Sequence, residues 1–298
     1  MTSDIGFIGL GTMGRPMARN LLAAGYGLVF FARRDEVAEP FLEQGAQRAS
    51  TPAEVARRAD IVISIVTADD QLLEVALGPA GIVEGAASGK LLIDMSTVSP
   101  STARLVAATL AERKMGFLDA PVSGGPWGAQ QGTLTIMVGG SGDDLARARP
   151  VLEVLGRQIA HVGPVGAGQS LKLVNNMIGG GIMALVGEGL ALARAAGIDL
   201  DQAIDVLMAS SAASSLLEAR GKSFILADRY EPGFKTALMR KDVALAVDLA
   251  RTLEVPVPLA AAALQQYTAA VRQGCGEQDF ASVARYCGQA AGQNLARP

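Results

Sequence analysis

Ile5-Gly6-Phe7-Ile8-Gly9-Leu10-Gly11-Thr12-Met13-Gly14-Arg15-Pro16 decides how the rest of this chain is read. Residues 5–8 are an apolar strand. Gly9, Leu10, Gly11, Thr12, Met13 and Gly14 form a glycine-rich loop. Residues 15–24 follow a helical pattern, with Pro16 in the first turn, where a missing N–H costs little. In such a unit the first glycine permits a tight turn, the second lets the backbone approach a pyrophosphate, and the third lets helix and strand pack closely. The helix N-terminus then offers free N–H groups and a positive dipole end to the phosphates. The spacing alone is a weak sign, but here it opens a chain that keeps alternating strands and helices.

That alternation sets the fold class. Apolar runs at 28–31, 61–66, 91–95, 116–118, 134–138 and 159–162 are separated by helical patterns. Continuous apolar strands spaced by helices predict a parallel sheet covered on both faces, a doubly wound α/β domain of Rossmann type over residues 1–163. Beyond Gly163 the chain is rich in Ala, Leu, Lys, Arg and Glu at helical spacing, punctuated by Asp199, Pro232 and Pro256. Residues 164–298 are therefore expected to form an all-helical domain, entered by a long helix over 169–195. There is no internal repeat.

Composition narrows the partners. Half of the 298 residues are hydrophobic and 18% are charged, ample for a core, and the net charge is only −3. Without a basic arm or acidic tail, nucleic acid is not the expected partner. The N-terminus has neither the charged start nor the long apolar run of a signal peptide. Residues 173–187 are uncharged but short of a membrane span and contain Asn175 and Asn176, so they read as a helix buried in protein, and no membrane partner is expected. Two cysteines are too few for a disulfide framework and fit reduced thiols in the cytoplasm. No metal site is read from the chain.

The second strand ends at Ala32 and runs into Arg33 and Arg34. A domain built for NAD usually carries Asp or Glu about 20 residues after the loop, to receive the ribose hydroxyls. A carboxylate there would repel a 2′-phosphate, whereas arginine grips it with a planar fork. NADP is therefore favoured. NAD stays open if Arg33 and Arg34 are solvated loop charges and Asp35 serves the ribose or caps a helix.

For acid–base chemistry the single histidine, His161, lies in an apolar strand and reads as structural. Lysine is the alternative, because burial and cationic neighbours can bring its pKa toward neutrality. Two segments stand out. In Asp119-Ala120-Pro121-Val122-Ser123-Gly124-Gly125, the hydroxyl and glycine N–H groups can cradle an anion. In the segment 163–176, Lys172 and Asn176 are four apart on one helix face. Spacing alone leaves two readings of that pair open. They are costly to bury without purpose, yet Lys172 could snorkel to solvent and Asn176 could satisfy a backbone group.

Through these blocks and Lys241-Asp242, nearly the whole chain resembles the β-hydroxyacid dehydrogenase family, which includes short-chain semialdehyde reductases. The resemblance implies NADP- or NAD-dependent hydride transfer between a small carboxylate-bearing semialdehyde and its hydroxyacid. Lys172 would be the catalytic acid and base. Ser123, Gly124 and Gly125 would hold the substrate carboxylate and Asn176 would orient the substrate. Lys241 would lie beside cofactor and substrate, with Asp242 as its companion. Thr97 matches a cofactor-side position, as do Val66 and Thr67, where relatives often show Leu-Pro. The segments 213–218 and 232–235 look most like the tartronate semialdehyde reductases of the family. Pro126-Trp127 departs from the pattern, and Trp127 reads either as a core or interface residue or as a wall of the pocket. The resemblance also implies a homodimer or homotetramer. Imine reductases share the architecture but usually carry Asp or Tyr at the position of Lys172. A dinucleotide-binding scaffold without turnover would be expected to lack the lysine or the Ser-Gly-Gly cradle.

Overall fold

The computed structural model describes residues 4–297. The chain forms two compact units that meet in sequence between Lys172 and Leu173.

The first unit alternates as expected: β1 (Ile5–Ile8), α1 (Gly14–Ala23), β2 (Leu28–Phe31), α2 (Asp35–Leu42), β3 (Gln47–Ala49), α3 (Pro52–Arg58), β4 (Ile61–Ser64), α4 (Asp69–Leu77), α5 (Ile82–Gly85), β5 (Leu91–Asp94), α6 (Pro100–Ala111) and β6 (Gly116–Asp119). Then come β7 (Val122–Ser123), α7 (Gly125–Gln131), β8 (Leu134–Gly139), α8 (Gly142–Leu155), β9 (Gly156–Gly163) and the first turns of α9 (Ala167–Ala195). The sheet runs β3-β2-β1-β4-β5-β6-β8-β7, with β9 also on β8. From β3 to β6 every pairing is parallel. Strand order reverses direction between β1 and β4, the switch point where such sheets bind ligands.

Side-chain alternation builds two cores from one sheet. Ile5, Phe7, Leu28, Phe30, Leu91 and Ile93 face one helical layer, and Ile8, Val29, Val62 and Leu92 face the other. Phe30 and Phe41 meet at 5.6 Å between ring centroids.

The structure refines the expected parallel sheet in three ways. The sheet is not wholly parallel, because β8 runs antiparallel to β6 and β7. The short strands β3 and β7 lack the apolar run that marks a strand; Gln47 and Arg48 are exposed. The apolar strand ending the domain is an edge strand that is only partly buried, and His161 lies on its surface with Nε2 2.9 Å from the Gly140 carbonyl.

The second unit is helical: the rest of α9, then α10 (Leu200–Met208), α11 (Ser215–Arg220), α12 (Thr236–Thr252), α13 (Pro258–Ala270) and α14 (Ser282–Ala290), with π-helical turns at Gly221–Ile225 and Val271–Cys275. Met183, Leu190 and Ala191 of α9 pack with Leu200, Ile204, Leu217, Tyr267 and Phe280. Tyr267 donates to the Gly180 carbonyl at 3.1 Å. A Cβ at Gly180 would stand 2.9 Å from Val243, so the glycine sets how closely the helices approach. Among the described residues, α9 is the one helix long and apolar enough to cross a membrane by length and composition. It nevertheless carries Lys172, Asn176, Glu188 and Arg194 and supplies the core of its unit. It is not buried all round as its sequence suggested, since Val174, Ile178, Leu185 and Leu192 are exposed.

Candidate functional site

Each glycine of the loop after β1 answers to a different neighbour. Gly9 has φ +102°, and a Cβ there would lie 2.0 Å from the Ile65 carbonyl oxygen. A Cβ at Gly14 would lie 2.0 Å from the Gly9 carbonyl oxygen. At Gly11 a Cβ would meet nothing within 4 Å. Nothing in the protein requires a glycine there, whereas a ligand approaching the backbone would. Side chains cap α3, α6 and α8 through Thr51, Ser99 and Ser141, but α1 has no side-chain cap and no acidic residue in its first turn. Its leading N–H groups thus suit a pyrophosphate.

At the end of β2 a cavity of about 450 Å³ is lined by Phe31, Ala32, Arg33, Arg48, Ala49 and Ser50. Arg33 pairs with Glu74 at 2.7 Å and Arg34 with Glu36 at 3.2 Å, all well exposed. Such surface pairs are worth about 0–1 kcal/mol and yield readily to a better anion. Arg48 was missed in the sequence. It reaches Asp35 at 2.6 Å and the Ala32 carbonyl at 2.8 Å. A lone arginine in a three-residue exposed strand carries no signal until β3 is seen to lie beside β2.

At the ends of β4 and β5 a buried polar cluster fixes the loops that hold Val66, Thr67 and Thr97. Asp94 Oδ1 accepts from the hydroxyls of Ser64 at 2.8 Å and Ser96 at 2.7 Å, and Ser96 Oγ accepts from the Val66 N–H at 2.8 Å. Asp94 Oδ2 has no partner among the described residues. Burial pushes the Asp94 carboxyl up to about 6 against the pull of those hydroxyls, and nearby Asp119 raises it further. Thr67 turns instead to Gln71, which accepts from its N–H and its hydroxyl.

Ser123, Gly124 and Gly125 link β7 to α7. Gly124 and Gly125 have φ of +130° and +61°, and space beside Gly125 is open. Trp127, in α7, is 70% exposed, which removes the core reading. Asp119, at the end of β6, is fully buried and caps the start of α9: its oxygens accept from the Gly166 and Gln169 N–H groups at 2.7 and 2.9 Å. Burial raises its pKa, and the two N–H bonds oppose that. Lys172 follows on α9 and is only 7% exposed, so it does not snorkel to solvent. In the first unit, then, the glycine-rich loop, Val66, Thr97 and the anchored start of α9 all lie at the carboxyl ends of parallel strands.

In the second unit Asn176 and Asp242 are buried together. Asn176 Nδ2 donates to Asp242 Oδ2 at 2.6 Å. Lys241 Nζ lies 3.0 Å from Oδ1, an ionic contact off the line of a hydrogen bond. Asp242 therefore partners Asn176 as well as Lys241. Asp94, Asp119 and Gln169 could have been found by the argument applied to Lys172, since each is a polar residue in an apolar stretch.

Comparison with known proteins shows the family and the fold. Residues 4–163 match the family described as the NAD binding domain of 6-phosphogluconate dehydrogenase, and residues 166–287 match the NAD-binding domain of NADP-dependent 3-hydroxyisobutyrate dehydrogenase. The 2-(hydroxymethyl)glutarate dehydrogenase of Eubacterium barkeri is 37% identical over 98% of this chain and 97% of its own. The 3-hydroxyisobutyrate dehydrogenase of Pseudomonas aeruginosa is 39% identical over 94% of this chain and 97% of its own. Among solved structures, 3-hydroxyisobutyrate dehydrogenase of Mycobacterium tuberculosis with L-serine superposes with a TM-score of 0.86 at 32% identity, over 96% of this chain and 99% of its own.

Proposed function

The chain belongs to the β-hydroxyacid dehydrogenase family, and from that premise we propose an NADP(H)-preferring reductase of a short carboxylate-bearing semialdehyde, tartronate semialdehyde or one of its size, with Lys172 as acid and base. It is an NAD(P)-dependent oxidoreductase acting on a hydroxyl group. The bound nicotinamide supplies or receives the hydride. The observation that carries the reading is the burial of Lys172. Removing an ammonium from water is costly unless the group has work there.

Lys172 Nζ donates a proton to the alkoxide forming at the aldehyde oxygen, and in the oxidative direction takes the hydroxyl proton. Ser123 and the N–H groups of Gly124 and Gly125 hold the substrate carboxylate. Asn176, its amide oriented by Asp242, holds the substrate in reach. Lys241 adds positive charge beside Asp242. In support of NADP, Ala32 leaves no carboxylate at the end of β2, and Arg33 and Arg48 line the cavity there. The buried free thiols of Cys275 and Cys287 fit the cytoplasm, and the exposed face of α9 fits a homodimer or homotetramer. A second reading, oxidation of 3-hydroxyisobutyrate, draws on the relative at 39% identity.

The test is nicotinamide absorbance with NADPH and NADH against tartronate, methylmalonate and succinic semialdehydes and glyoxylate, and with NADP+ and NAD+ against 3-hydroxyisobutyrate and L-serine. Tartronate semialdehyde with NADPH should give the highest kcat/KM. The Lys172→Ala variant should lose about 100-fold or more in kcat while keeping its dinucleotide affinity. Parent-like turnover in that variant removes Lys172 from the chemistry, and higher kcat/KM with NADH removes the NADP preference.

A further inference from the structure

We infer that Gln169 is a positioning residue that sets the register between the Thr97 loop and Lys172. The inference rests on the reading of Lys172 as the proton carrier. The Gln169 side chain is fully buried. Its Nε2 donates to the Ser96 carbonyl at 2.9 Å, and its Oε1 accepts from the Val98 N–H at 3.1 Å. These are groups of the residues immediately before and after Thr97, so one amide grips the loop on both sides of it.

The main chain of the same residue is held elsewhere. Its N–H donates to Asp119 Oδ2, beside the Gly166 bond to Oδ1, which ties the first turn of α9 to the end of β6. Gly168 permits that approach: a Cβ there would stand 2.4 Å from the Met137 carbonyl oxygen and 2.6 Å from that of Asp119. The Asp119 cap uses only backbone atoms of Gln169. The start of the helix therefore needs no amide side chain at this position, and the amide serves the loop. An amide is the side chain that can donate with one end and accept with the other. Lys172 is three residues on, a neighbour on the same helix surface. The Ser96 end of the loop is fixed a second time, through Ser96 Oγ to Asp94 and Val66. Gln169 thus joins a rigid cofactor-side loop to the helix that bears the lysine, and any slack in it moves one against the other.

A double-mutant cycle with Lys172→Ala tests this, run on the full chain with the fastest substrate of the panel above. Gln169→Leu keeps the volume and removes both polar contacts. It should lower kcat by about 10- to 100-fold, because small misplacements of a reacting group are costly, and leave the KM for the dinucleotide within about threefold. In the Lys172→Ala background the same change should alter kcat by less than about twofold, since a residue that acts through the lysine has nothing left to place. Equal losses in both backgrounds, or parent-like kcat in Gln169→Leu alone, overturn the positioning role and leave the lysine reading intact. Parent-like kcat in Lys172→Ala alone overturns the lysine reading and the role built on it, so the two failures fall in different corners of the cycle. Should Gln169→Leu not fold, Gln169→Asn carries the same cycle, because it keeps an amide and withdraws it from the loop by one methylene.

Discussion

Asp94 is sealed at the end of β5 with one oxygen satisfied by two hydroxyls and the other without a partner among the described residues. Asp119 is the charged group that adds to the effect of burial. Folding therefore raises this carboxyl from 3.8 to about 6. The folded chain holds the proton more tightly than the unfolded chain, so it binds more protons between those two values. Stability from this group is complete below the unfolded value and is lost as pH rises through about 6. The loss amounts to about 3 kcal/mol. Asp94→Asn removes the titrating group while keeping an acceptor for Ser64 and Ser96. Unfolding free energies from denaturant titrations at several pH values should show the variant gaining on the parent by about 3 kcal/mol as pH rises across that window. A constant difference at every pH would mean that Asp94 does not ionise there. Asp119 leans the same way, so the gain measures Asp94 in the presence of its neighbour.

The loop between β1 and α1 makes a sharper distinction, because its glycines serve different masters. Gly14→Ala would drive a Cβ against the Gly9 carbonyl and should destabilise the fold by about 1–3 kcal/mol, as overpacking does. Gly11→Ala meets open space without a positive φ to strain it, so it should change stability by less than about 1 kcal/mol. Yet it should weaken dinucleotide binding by about tenfold or more, because the methyl group would stand in the way of a pyrophosphate held by this loop. Thermal melts and dinucleotide titrations separate the two, and undiminished affinity in Gly11→Ala would move the pyrophosphate off this loop. This element was legible in the sequence because strand, loop and helix are contiguous. The long helix α9 was legible too, from its period. The antiparallel β8 was not, because a buried apolar run does not record which way its partner points. Nor were β3 and its Arg48, whose meaning comes only from pairing with β2. The pairing of Asn176 with Asp242 spans 66 residues and has no local trace, although both residues had been singled out.

At the scale of the molecule, the exposed side of α9 is an apolar face. Nine of the thirteen large apolar side chains that are exposed among the described residues belong to the second unit, which is less than half of the chain. On α9 they are not scattered. Ile178, Leu185 and Leu192 recur every seven residues, with Gly181 and Gly189 between them, and Leu185 and Leu192 are 68% and 73% exposed. A seven-residue apolar repeat is the seam that one helix offers to another, and a second copy of this chain presents the same seam. Contiguous apolar surface of this kind is a contact face more often than a solvated one. The parent protein should therefore run as a dimer or tetramer by light scattering after size exclusion. Leu185→Glu places a charge in the seam at a position where glutamate keeps good helix propensity. It should shift the mass toward the monomer while changing the helical circular dichroism little. A parent that is monomeric at micromolar concentration, or a Leu185→Glu variant that assembles as the parent does, would assign the stripe to something other than self-association.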